Sequence, residues 1–127
     1  MKKILFSVLL LSMLFFSACS SVTKQSQGPP PLPPSGESKT FDIEAKQFEF
    51  IPKTITVNQG DFVTLNLKST DVTHGFFLSE FNINKQLDPN QTVQVKFVAD
   101  KKGTFTFRCN VPCGSGHMDM TGTFIVK

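Results

Sequence analysis

The chain has 127 residues, 39% of them hydrophobic and 18% charged, which suffices for one packed domain and no more. Its formal charge of +3 owes two units to Lys2 and Lys3 at the N-terminus, and with no basic run elsewhere nothing points to a nucleic-acid partner. There is no internal repeat, P-loop or G-x-G-x-x-G pattern, and the aromatic residues are all phenylalanine, 14 Phe with neither Trp nor Tyr.

Met1-Lys2-Lys3 makes a positive start, and Ile4 to Phe16 is apolar except for Ser7 and Ser12. At about 1.5 Å per residue this run reaches about 20 Å, short of the roughly 30 Å hydrocarbon core, so residues 1–18 are expected to be a signal peptide rather than a span. Ser17-Ala18-Cys19 resembles the lipobox of bacterial lipoproteins, in which the cysteine becomes the lipidated N-terminus; the alternative is an ordinary secretory signal. Residues 19–38 include Pro29-Pro30-Pro31-Leu32-Pro33-Pro34, which favours polyproline II and reads as a semi-rigid spacer, in preference to a ligand for a proline-recognition module. The expectation is an extracytoplasmic domain, in the periplasm or on the outer face of the cell membrane, lipid-anchored through Cys19.

From residue 39 to 127 the pattern changes to short period-two runs bounded by turn residues. Phe41, Ile43 and Ala45 alternate with polar neighbours, as do Ile55 and Val57 before the turn signal Asn58-Gln59-Gly60-Asp61. Phe62 to Leu67, Thr92 to Val98 after Asp88-Pro89-Asn90, Thr104 to Phe107 after Gly103, and Thr121 to Val126 follow. No stretch carries a 3.6-residue apolar stripe. Six or more short strands predict an all-β, two-sheet sandwich in a single domain, with most Phe residues in its core.

The chemistry-bearing segment is Cys109-x3-Cys113-x3-His117-x2-Met120, with the other histidine of the chain, His74, in Asp71-Val72-Thr73-His74-Gly75-Phe76. Thiolate and thioether are soft ligands that favour copper, imidazole suits it too, and Pro112, Gly114 and Gly116 bend the loop so that its side chains can converge. Two other readings remain open at this point. Cys109 and Cys113 could form a disulfide, and His74, His117 and both cysteines could form a tetrahedral zinc site.

These motifs, continued through Gly122-Thr123 and preceded by Phe50-x-Pro52-x2-Ile55-x-Val57-x2-Gly60-Asp61, resemble the dinuclear copper (CuA) domain of cytochrome c oxidase subunit II, within the cupredoxins. The resemblance implies a Greek-key β-sandwich of the cupredoxin type. It also implies two copper ions bridged by Cys109 and Cys113, each capped by one of His74 and His117, with Met120 and the Val111 carbonyl as weak ligands. Position 111 is usually glutamate in the oxidases, so valine here keeps the carbonyl and loses the carboxylate. The function implied is electron transfer, not enzymatic catalysis, by a monomer with redox partners such as a c-type cytochrome or a terminal oxidase. Phe76, Phe77, Gly114 and Met118 are candidates for an apolar docking patch over the metal, with only one of the two Phe side chains able to face the rim. Copper storage or delivery to an oxidase, and a mononuclear cupredoxin, are the alternative readings.

Overall fold

A computed structural model describes residues 36–127; the expected signal peptide, the lipidated Cys19 and the proline-rich segment lie outside them. The described residues form nine strands and no α-helix: β1 (Ser38–Lys46), β2 (Glu49–Ile51), β3 (Thr54–Val57), β4 (Phe62–Ser69), β5 (His74–Leu78), β6 (Ile83–Leu87), β7 (Thr92–Val98), β8 (Gly103–Arg108) and β9 (Thr121–Val126). Two single 3-10 turns, Ser79–Phe81 and His117–Asp119, complete the order.

The strands make two sheets, β2-β1-β4-β7 and β3-β9-β8-β5-β6. In the first, β1 runs parallel to β4, from Ser38 beside Phe62 to Ala45 beside Ser69, and β7 returns antiparallel with Val98 beside Phe62. In the second, β8 and β9 pair antiparallel from Gly103 beside Val126 to Arg108 beside Thr121, and β5 joins β8 at Phe77 beside Arg108. The expected two-sheet β-sandwich is the fold.

Alternation decides which side chains fill the space between the sheets. Val63, Leu65 and Leu67 point inward from β4, and Ile43 and Ala45 from β1, while their polar neighbours face out. The phenylalanines divide into two groups. Phe50, Phe76 and Phe107 are fully buried, with ring centroids 5.0–5.7 Å apart. Phe81, Phe97, Phe105 and Phe124 form a second cluster of tilted and edge-on pairs. Phe62 is an exception to the expected core role, exposed at 44% on the outer face of β4.

The turn read at Asn58–Asp61 ties one pole of the sandwich together. Gly60 takes φ 92°, a conformation that a side chain would strain. The buried Asp61 carboxylate accepts hydrogen bonds from the Asn58 and Glu37 amides, and Gln59 and Gly60 donate to Lys127 and Ala99. The opposite pole carries the ends of β1, β4 and β8 and the starts of β5 and β9, and there the chemistry-bearing residues meet.

Candidate metal centre

His74 is the first residue of β5, and its inward direction is shared with Phe76 and Leu78, two and four residues on. Cys109 follows the last residue of β8 and continues the inward face of Phe107. The loop from Cys109 to Met120 then closes on itself: the Cys109 amide donates to the Met120 carbonyl at 3.0 Å, and the His117, Asp119 and Met120 amides donate to Gly114, Gly116 and His117. This tight base puts Cys113, His117 and Met120 over the same end of the core as His74.

The sulfur atoms of Cys109 and Cys113 are 3.8 Å apart. Nδ1 of His74 lies 3.9 Å from the Cys109 sulfur, and Nδ1 of His117 lies 3.7 Å from the Cys113 sulfur. The Met120 sulfur is 3.9 Å from Cys113, and the Val111 carbonyl oxygen is 3.1 Å from the Cys109 sulfur. All six residues expected from the sequence to ligate a metal thus meet at one pole. His74 and Met120 are fully buried, Cys109 and Cys113 are at most 7% exposed, and His117 is half-buried. Both cysteines are free thiols, so the disulfide left open above is not formed.

Glycine makes the approach of β5 to the loop possible. A Cβ on Gly75 would stand 2.0 Å from the Asn110 side-chain oxygen and 2.9 Å from the Asn110 amide nitrogen. With only hydrogen there, the Gly75 amide reaches the Cys109 sulfur at 3.3 Å and donates to it.

Two residues with no role in the sequence reading position the others. Asp71 accepts hydrogen bonds from the Gln47 and Val72 amides at 2.7 and 2.6 Å, and its carboxylate lies 2.7 Å from Nε2 of His74. Partial burial would raise the Asp71 pKa, but these hydrogen bonds outweigh it and hold the carboxyl below the usual range. An ionised carboxylate can only accept, so Nε2 of His74 is the donor to Asp71, and Nδ1 is the ring nitrogen turned toward the sulfurs. The i, i+3 spacing of Asp71 and His74 was the available signal. Gln47 gave none: it comes from the β1–β2 turn, and its side-chain amide Nε2 donates to the Cys113 carbonyl across 66 positions of sequence.

Of the four residues expected to frame a docking patch, Phe76 is corrected. It packs face to face with Phe107 in the core, because it shares the inward direction of His74. Phe77 points the other way, half-buried, with the Arg108 guanidinium 5.3 Å over its ring. Gly114 and Met118 are on the surface, Met118 at 82% exposure.

Burial pushes the Cys113 thiol up to about 11, and the neighbouring Cys109 adds to the shift. Two thiolates this close repel in a dry site, so full ionisation of the pair calls for a cation between or beside them. The donor set of thiols, imidazoles, thioether and carbonyl suits a thiophilic transition metal.

Known proteins are similar to this chain in sequence or in fold. The cytochrome c oxidase subunit 2 of Thermus thermophilus is 35% identical over 88 residues, 69% of this chain and 65% of that protein. The nitrous-oxide reductase of Cupriavidus necator is 35% identical over 97 residues, 73% of this chain but 15% of the enzyme. Among solved structures, a heme-copper terminal oxidase dimer contains a chain that superposes with a TM-score of 0.65 at 26% identity, over 70% of this chain and 65% of that one. The chain thus spans less than two thirds of each of these relatives. Residues 7–126 match the cupredoxin-like domain, and the chain belongs to that family.

Proposed function

We propose that the protein is a membrane-tethered, extracytoplasmic electron carrier whose pole of cysteines and histidines holds a dinuclear copper centre of the CuA type. One observation carries this reading: two buried thiols 3.8 Å apart, each with its own imidazole nitrogen within 3.9 Å. A single tetrahedral ion would need all four donors around one point. Among the described residues, His74, Cys109 and Cys113 alone have donor atoms within 4.8 Å of one another, and His117 approaches from the Cys113 side. The donors are arranged around a sulfur pair, which suits two ions and disfavours the zinc reading. Relatives by name include an oxidase subunit and a reductase, in keeping with electron transfer.

When bound, a copper pair held by both thiolates would supply one-electron transfer with little change of geometry. The chain's contribution is to hold its donors still and dry. Cys109 and Cys113 would hold the metal through their thiolates, His74 and His117 would each supply one strong nitrogen donor, and Met120 and the Val111 carbonyl would supply weak ones. Asp71 fixes the His74 ring, and Phe50, Phe76 and Phe107 fill the space beneath, where water would otherwise raise the cost of reorganisation. Burial of four of the donor side chains suits a carrier better than a copper-delivery protein, which needs exposed, labile ligands. The redox partner is a c-type cytochrome or a terminal oxidase, the carrier works as a monomer, and Cys19 carries the lipid anchor.

Metal analysis of the copper-loaded full-length protein tests the reading. Two coppers per chain are expected; one per chain would contradict it.

A further inference from the structure

Met118 and Met120 lie two residues apart with opposite environments: Met120 is fully buried, and Met118 is 82% exposed, more than any other large apolar residue exposed among the described ones. No core contact and no ligand role in the centre accounts for that exposed thioether. The 3-10 turn His117–Asp119 fixes it on the rim of a cleft of about 250 Å³, shared with Arg108, Asn110, Cys109 and His117. The same cleft is thus lined by Cys109, a proposed bridging residue, and by His117, the one half-buried imidazole of the donor set.

We propose that Met118 is the entry ligand for copper, taking copper(I) from a donor complex in solution and passing it down this cleft to His117 and Cys109. The inference rests on the copper-centre reading above and adds the route by which the centre is filled. A thioether is a soft, neutral ligand that binds copper(I) without losing a proton, so it can accept the ion before any cysteine has given one up. Being weak, it yields the ion to thiolate and imidazole. The ion stays copper(I) throughout, so no oxidant or reductant is needed; each cysteine that binds releases one proton through the cleft to water. Arg108 on the rim favours approach of an anionic donor complex over that of a free cation.

The test is the rate at which the metal-free full-length protein takes up copper(I) from its glutathione complex without oxygen, followed by metal analysis after rapid desalting. Met118→Leu keeps the volume of the side chain and removes the sulfur, and at a position this exposed it leaves folding unchanged. It is expected to load severalfold more slowly than the wild type and to reach the same final copper content. Equal rates would overturn the entry role, and a lower final content would place Met118 inside the centre rather than at its entrance. Failure of the wild type itself to take up copper would overturn the copper-centre reading and this inference with it.

Discussion

His74 can present Nδ1 to a metal only while its proton rests on Nε2, and the Asp71 carboxylate 2.7 Å away holds it there. Asp71→Ala should therefore weaken copper binding by about 10- to 100-fold, the usual cost of losing such a partner, as read by competition with a chelator. Asp71→Asn, which can still accept through its amide oxygen, should lose less. Among the proposed ligands themselves the weights differ. Cys113→Ser should leave at best a mononuclear site, because a bridging thiolate serves both ions. Met120→Leu should keep two coppers and shift the reduction potential; loss of copper from Met120→Leu, with a normal two-copper content in Cys113→Ser, would reverse the assigned roles. The six proposed ligands could be read from the sequence because five lie in one short loop and the histidines number two. Asp71 was visible only as part of a motif, and Gln47 not at all, since its contact with Cys113 exists only once the sandwich has closed.

At the level of elements, the loop depends on the strands that support it. Gly75→Ala would place a methyl group against both the side chain and the amide of Asn110, separating β5 from Cys109 and removing the amide donor to its sulfur. A loss of about 1–3 kcal/mol is expected in denaturant unfolding of the metal-free protein, together with weaker copper binding. Phe107→Ala, which empties the space beneath the same pole, should cost about 3–5 kcal/mol. Period-two alternation marked β1, β3, β4, β7, β8 and β9. It could not mark β5, where His74, Gly75 and Phe76 are all buried, nor β6, where three exposed residues separate Ile83 from Leu87. β2, three residues long, is too short to show a period. Strands buried on both faces, or covered only at their ends, lack the polar and apolar contrast that the sequence reading relies on.

Across the whole molecule, the chain enters the sandwich at Ser38 and leaves it at Lys127 on one pole, and the proposed ligands occupy the other. β4, eight residues long, separates the poles by about 26 Å at roughly 3.3 Å per residue. An anchor attached through the N-terminal segment therefore leaves the metal pole free to meet a partner. Cys19→Ala should release the protein from the membrane fraction without changing its copper content; continued membrane association would mean a different anchor. Sharing of one electron by two coppers across Cys109 and Cys113 would be read from the electron paramagnetic resonance spectrum of the copper-loaded full-length protein. Hyperfine structure from two equivalent copper nuclei is expected. A pattern from a single copper nucleus would contradict it.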